Sequence, residues 1–510
     1  MTAIRKHLPA VAVALSAGVG AVASSYAVAA NPQQLVVSPV EDILREVVPG
    51  DLIFFMIQNF GSGAQQFNYA LAVVLSVVAF GGLAAFARAV GHKSGTEGLA
   101  IPVTVVSGWL VAAALTAAPL RSLGVGLGTG IVVGVVTIAG RDVSLSAVPM
   151  DPGRRQVVGG GVAAVGMGAL GVGKTLLVDG GFGASPVDRK PVDAVDVNAE
   201  NGIDAEELSV GDYLDMAEAN AVGVGGIEPL VSEDFYQVDY KAGDPELDRE
   251  EWTLSVTGAV ETELELDYED LRSYRAENRA STLRCVGDSL NGRKVDNAVW
   301  TGTPISEILA EAGLESESCC VMLRAADDYY NEFPVEALED GLLAYGMNGE
   351  TLPRGHGYPV RALIPGHWGE INVKWITEIE ILETEMEGYW EKNGWHGTGP
   401  VHTVAKLWDE GVVYNDDGTV TLAGHAYAGT RGIDRVEVST DGGDSWTEAD
   451  LSDPLPDEDV WRQWRYDYAP DDTHDVVVRA VDGTGTVQER EESDAYPRGA
   501  TGWVERTVAA

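Results

Sequence analysis

The run Ser281-Thr-Leu-Arg-Cys-Val-Gly-Asp288 places a cysteine between a short strand-like stretch and a polar loop that contains Asn291-Gly292, in a chain with only three cysteines. A thiol in such a position has three chemical uses: a small buried apolar residue, a nucleophile, or, as the thiolate, a ligand to a soft or redox-active metal. A nucleophile needs a base beside it, and a ligand needs surroundings that favour the thiolate. The residue type leaves all three open. Cys319 and Cys320 are adjacent, so the chain offers no disulfide framework and no iron–sulfur or c-type haem pattern.

Whatever Cys285 does, larger elements must hold it. At 510 residues the chain suggests about three domains of ~150 residues each. Residues 1–180 carry long Ala/Val/Gly/Leu runs, and the formal charge of −44 arises almost wholly after them. Such an acidic excess repels phosphate backbones, which argues against a nucleic-acid partner. Basic residues that are mostly arginine, in so acidic a chain, match the composition of proteins from salt-loving organisms, where screening tolerates the repulsion.

Apolar stretches at about 8–30, 67–90, 101–119, 123–140 and 156–177 each approach the ~20 residues of a membrane-spanning helix. The first also has the form of a signal peptide. With a cytoplasmic N-terminus, the inner loops hold Arg5, Lys6, Arg88, Lys93, Arg141, Arg154 and Arg155, against Arg45 and Arg121 outside. The acidic remainder is then extracytoplasmic. No histidine falls within a span, which disfavours a membrane haem. Gly168-Ala-Leu-Gly-Val-Gly-Lys-Thr175 matches a phosphate-binding loop letter for letter, but it lies in an uncharged segment where glycines serve helix packing.

Residues 181–228, rich in Asp, Glu, Ala and Gly, read as an acidic linker with a short helix near 211–219. From 229 to 397, strand-like runs (Trp252–Val256, Cys320–Leu323, Val360–Ile364, Ile376–Leu382) mix with helical ones (Tyr268–Glu277, Pro304–Ala312), as in an α+β domain. From 398 to 510 only strands are expected (Thr419–Ala428, Ile433–Thr440, Trp461–Tyr468, Val476–Val481), with Asp441–Trp446 as a hairpin turn between two of them. This predicts a β-sandwich of immunoglobulin-like type with a structural or dimer-forming role.

The motif around Cys285, followed by Asn297-Ala-Val-Trp-Thr-Gly-Thr-Pro304, resembles the molybdopterin domain of the sulfite oxidase family. Phe235-Tyr236, Trp252-Thr-Leu-Ser-Val-Thr-Gly258, Ala344-Tyr-Gly-Met-Asn-Gly-Glu350, His356-Gly-Tyr-Pro-Val-Arg361, Asn372-Val-Lys-Trp375 and Gly388-Tyr-Trp-Glu-Lys-Asn-Gly-Trp395 follow in the family's order, and Gly432–Gly443 resembles its C-terminal sandwich. The resemblance spans roughly 229–508. It implies that Cys285 is the protein thiolate on molybdenum, while the sparse cysteines and the spans without histidine predict no haem or iron–sulfur cluster. It further implies that Tyr236, Gln237, Val238, Asp239 and Tyr240, together with Asp327, His356, Arg361, Asn372, Val373 and Lys374, contact the molybdopterin. Arginine and lysine suit its phosphate.

Three positions depart from the sulfite-binding pattern. Val238 and Leu290 stand where that pattern has arginines, and Trp395 stands where it has a tyrosine. Arg498 matches a pocket arginine from the sandwich. Charge-assisted hydrogen bonds contribute about 1.5–3 kcal/mol each, so losing two cations disfavours a dianion, and Trp395 with Tyr329 could line a pocket for a less charged substrate.

The motifs, the apolar segments and the resemblance together predict a membrane-anchored molybdenum oxidoreductase of haloarchaeal type, with a homodimer as its expected assembly. It would transfer an oxygen atom to or from a small molecule and exchange electrons with a cytochrome, blue copper protein or quinone system. Reduction of an S-oxide or N-oxide, and a non-catalytic receptor on a degenerate cofactor fold, are the competing readings.

Overall fold

The computed structural model describes residues 2–28, 35–47, 63–93, 95–139, 208–241, 244–316 and 318–509. It divides into a helical N-terminal unit and a second unit holding nearly all of the chain after residue 188.

In the first unit, Thr2–Val28, Gly63–Lys93, Ala100–Thr116 and Pro119–Ala139 are apolar helices. Three contain spans long and apolar enough to cross a membrane: Pro9–Val28, Phe67–Lys93 and Pro119–Ile138. The third expected span, 101–119, is shorter than read, because Ala100–Thr116 has 17 residues and reaches only ~25 Å at 1.5 Å per residue. The fifth expected segment, 156–177, and the Gly168–Thr175 motif lie outside the described residues. Small residues let these helices touch. A Cβ on Gly18 would fall 1.9 Å from the Val77 carbonyl oxygen, and one on Gly126 would fall 2.4 Å from that of Val105.

The second unit begins, among described residues, inside the stretch read as linker. From Leu208 onward that stretch is folded, and its helix Val210–Asn220 falls where the sequence places a short helix near 211–219. Ser209 and Asp212 form a capping box, and the helix Val210–Asn220 that follows buries Val210, Tyr213 and Ala217 in one apolar cluster with Val286, Trp368 and Trp395. Glu228 then offers its carbonyl to Gln463 and to the ring of His425, tying this segment to the β-rich region.

Two sheets build the α+β region. One runs Leu264–Asp267, Thr253–Gly258, Ile376–Leu382, Cys320–Ala325, Tyr330–Pro334, with only the Thr253–Gly258 and Ile376–Leu382 pair parallel. The other runs Glu277–Arg284, Val295–Pro304, Leu342–Met347, Glu350–Thr351, with Arg361–Leu363 also on Leu342–Met347. Every residue of Val295–Pro304 is buried, so the strand beside the cysteine loop is a core strand.

The helix expected over Tyr268–Glu277 stops at Ser273. Beyond it, Ala276, Asn278 and Ala280 are buried while Glu277 and Arg279 are not; that two-residue alternation belongs to the next strand. Cys319 and Cys320 are joined to each other at the head of a strand.

The C-terminal region is two antiparallel sheets sharing one core. The first contains Val404–Lys406, Val412–Tyr414, Val420–Tyr427, Arg462–Tyr468 and Asp450–Leu451; the second contains Thr447–Glu448, Ile433–Ser439, His474–Asp482 and Val504–Val508. The Asp441–Trp446 turn connects Ile433–Ser439 to the short strand Thr447–Glu448. The expected partner, Arg462–Tyr468, lies in the other sheet.

Candidate active site

Arg284 and Val295 form the last pair of an antiparallel ladder, so residues 285–294 are a hairpin loop with Cys285 at its first position. The Cys285 N–H donates to the Lys294 carbonyl (3.0 Å), and its carbonyl accepts from the Asp288 N–H (3.0 Å). Burial pushes the thiol above its ordinary pKa, and Lys294 with the Gly287 N–H opposes that rise. A metal ion would supply the missing positive charge that makes the thiolate favourable.

Beneath the loop lies a buried charge group that the sequence did not announce. Asp288 accepts from Lys406 Nζ (2.6 Å) and from Arg284 Nε (3.3 Å), all three side chains being essentially inaccessible. Burial alone would raise the Asp288 carboxyl; Lys406 and Arg284 outweigh it and hold the pKa below the usual value. Burial brings Lys406 down to about 8. Arg284 also stacks on Trp368 at 5.0 Å, and its Nη2 is buried without a hydrogen-bond partner.

The expected cofactor residues gather in four segments. Tyr236 donates its N–H to Asp296 (2.7 Å), and a Cβ on Gly369 would meet its hydroxyl at 3.0 Å. Its phenol is pushed well above the usual value by burial and then by Cys285, so the two are neighbours. Burial likewise raises Asp296 to about 7. Gln237 donates to Asp239 (2.7 Å), which is ion-paired with Lys374. Val238 is half-exposed. The Tyr240 hydroxyl donates to the Asp327 carbonyl (2.6 Å), and the Asp327 carboxylate accepts from the Tyr329 N–H (3.1 Å).

Arg361 is buried against Trp300, with three donors on the carbonyls of His356 (3.1 Å), Asn372 (3.1 Å) and Ala362 (3.5 Å). A guanidinium has five N–H groups, which leaves two for a phosphate. Burial lowers its pKa to about 10. The His356 ring meets Phe235 edge-on at 5.5 Å. Asn372 is a bracket: its Oδ1 accepts from Ile364 (2.7 Å) and its Nδ2 donates to the Trp368 carbonyl (3.1 Å). Val373 is 1% exposed and belongs to the core, so any cofactor contact it makes is through its backbone.

Glycine shapes the cradle between these segments. Gly357 has φ +114°, and a Cβ there would lie 2.8 Å from that of Arg361; a Cβ on Gly355 would meet the Gln237 amide at 2.5 Å. Spare guanidinium donors on Arg361, the Lys374 ammonium and a metal-competent thiol fit a phosphorylated, metal-bearing pterin.

Trp395 is 2% exposed and sits edge-on to Tyr496 (5.2 Å) and Trp390 (6.3 Å). Arg498 is exposed, although Tyr496–Gly499 packs here: His396 N–H donates to the Pro497 carbonyl (2.8 Å), and Gly499 abuts Trp368. Leu290 packs in the apolar clusters below the loop. Sequence reasoning missed Glu370 and Glu391, whose buried carboxyls meet each other beside Gly397 and Gly388.

Residues 241–390 match the family model "Oxidoreductase molybdopterin binding domain", and residues 401–496 match "Mo-co oxidoreductase dimerisation domain". Sulfite oxidase of Arabidopsis thaliana is 27% identical over 301 residues, covering 46% of this chain and 76% of that protein. The mitochondrial sulfite oxidase of Mus musculus is 28% identical over 297 residues, covering 48% of this chain; the chain spans 54% of its length. An uncharacterized oxidoreductase, YuiH, of Bacillus subtilis is 31% identical over 165 residues, covering 32% of this chain and 81% of YuiH. Among solved structures, the sulfane dehydrogenase SoxCD of Paracoccus pantotrophus aligns with a TM-score of 0.45 and 23% identity, over 56% of this chain and 87% of that one.

Proposed function

From a chain that belongs to the sulfite oxidase family of molybdopterin oxidoreductases, we infer an enzyme that is anchored in a membrane by its N-terminal helices and transfers an oxygen atom at a molybdenum–molybdopterin cofactor. The observation that carries this reading is the gathering of residues 236–240, 327–329, 354–361 and 372–374 around a hairpin loop that presents one cysteine. When bound, the cofactor supplies two-electron redox chemistry and an exchangeable oxygen. The chain supplies the rest. Cys285 offers the thiolate, while Arg361 and Lys374 offer cations to the phosphate. Tyr236, Gln237, Val238, Asp239, Tyr240, Asp327, His356, Asn372 and Val373 line the cradle.

Lys/Arg asymmetry across the apolar segments supports an extracytoplasmic site, and the match to a dimerisation domain supports a homodimer. Electrons leave singly to a separate carrier. Val238, Leu290 and Trp395, each without a cation, favour a small sulfur compound less charged than sulfite as the substrate to be oxidised.

The test is metal analysis and pterin fluorescence on the purified full chain, followed by a redox-dye screen over sulfite, neutral sulfur compounds, S-oxides and N-oxides. Near-stoichiometric molybdenum and pterin, with turnover of a neutral sulfur compound, is the expected result. Protein without either component would leave only a receptor on a degenerate fold.

A further inference from the structure

The loop that carries Cys285 is gripped by a segment of the C-terminal sandwich. Lys406 ends the strand Val404–Lys406, and its side chain is 1% exposed. An ammonium has three N–H groups. This one meets three acceptors, all on the loop: the Asp288 carboxylate (2.6 Å), the Gly292 carbonyl (2.9 Å) and the Leu290 carbonyl (3.3 Å). Neighbouring residues add to the grip. The Leu407 carbonyl accepts from Asn291 Nδ2 (2.7 Å), and the Leu407 N–H donates to Asn291 Oδ1 (3.0 Å). Trp408 donates its indole N–H to the Gly292 carbonyl (3.1 Å), and the His402 carbonyl accepts from Arg284 Nη1 (3.1 Å).

Asp288 carries the grip to the thiol residue. Its Oδ2 accepts from Lys406, and its Oδ1 accepts from the Lys294 N–H (3.0 Å) at the far end of the loop. Its own N–H donates to the Cys285 carbonyl, while the Cys285 N–H donates to the Lys294 carbonyl. One carboxylate therefore ties both ends of the loop together, and one ammonium ties that carboxylate to the sandwich. Folding alone does not call for this lysine. Burying a charge is costly unless it is paired, and well-packed apolar residues in place of a buried ion pair are often neutral or stabilising. An apolar side chain would lack the three directed bonds to one loop.

We propose that Lys406 is a positioning residue for the molybdenum ligand, through which the β-sandwich fixes the loop that carries Cys285. The proposal deepens the functional reading above and rests on it. Groups that hold a metal ligand in place commonly matter to the metal as well, their loss weakening metal binding or activity by about 10–100-fold.

Two readouts on the full-length protein in detergent test the assignment. The first needs no metal: amide hydrogen exchange of the loop 285–294 against that of the strand Val295–Pro304. Lys406→Met is expected to speed exchange in the loop by at least about tenfold and in the strand by less than about threefold. The second is the molybdenum(V) paramagnetic resonance signal of the loaded protein. The wild type is expected to give a single species and Lys406→Met a mixture, because the thiolate is no longer held in one arrangement. Val478→Ala, which opens a cavity in the sandwich core, is the control for lost stability: it should lower the melting temperature and leave both readouts as in the wild type. Should Lys406→Met fail to fold, Trp408→Phe, which removes the indole donor to Gly292, is expected to speed loop exchange by about threefold.

Loop exchange that rises no more than strand exchange, or a molybdenum(V) signal identical to that of the wild type, would overturn the positioning role. Wild-type protein without molybdenum and pterin would overturn the enzyme reading instead, and loop exchange would still decide whether Lys406 holds the loop.

Discussion

Asp288 is the one carboxylate that Arg284 and Lys406 share beneath the cysteine loop, and all three groups are out of water. Removing one partner from such a group leaves the others as uncompensated buried charges. Asp288→Asn is therefore expected to destabilise the protein by about 3–5 kcal/mol, read as a fall in the midpoint of denaturant unfolding. His425 allows a pH prediction. Stacked at 4.1 Å on Trp461 and 1% exposed, it is held by burial at a pKa of about 4, against 6.5 unfolded. The unfolded chain takes up a proton below pH 6.5 that the folded one refuses until about 4. Stability present above pH 6.5 is thus lost as pH falls towards 4, by up to about 3 kcal/mol. His425→Gln should flatten that part of a stability-versus-pH curve; an unchanged slope would show that other groups carry it.

At the scale of elements, the Val210–Asn220 helix and the Gly357 turn make separate predictions. Tyr213 is 4% exposed and donates its hydroxyl to the Asn278 carbonyl (3.3 Å). Tyr213→Ala should cost about 3–5 kcal/mol, as for other large buried aromatics, whereas a solvated linker residue would tolerate the change. Gly357→Ala sets a side chain at φ +114° against Arg361 and should strip the pterin from the protein more than it lowers the melting temperature. Elements were legible where burial follows the local period: Ile376–Leu382 falls where the sequence predicts it. The overlong Tyr268–Glu277 helix and the mis-paired Asp441–Trp446 turn show the limit, since a helix stop and a strand's choice of sheet depend on partners distant in sequence. The site divides in the same way. Cys285 stood out because thiols are rare, whereas Glu370 and Glu391 are two among 78 acidic residues and become a pair only when 388–397 folds against 369–371.

For the whole molecule, a net charge of −44 is self-repelling, and salt screens exposed charges within about 10 Å at 0.1 M and about 3 Å at 1 M. The melting temperature of the full chain in an uncharged detergent should rise by roughly 5 °C or more between these concentrations of potassium chloride, and a flat response would argue against a salt-adapted surface. The N-terminal helices should also keep the protein in the membrane fraction through a high-salt wash, with release only by detergent. The central claim is that the fold presents Cys285 as the protein's ligand to molybdenum. X-ray absorption at the molybdenum edge tests it most directly, on the full-length wild type and Cys285→Ser. We predict one fewer sulfur neighbour of the metal in the variant, with pterin retained; an identical sulfur count in the two proteins would contradict the account.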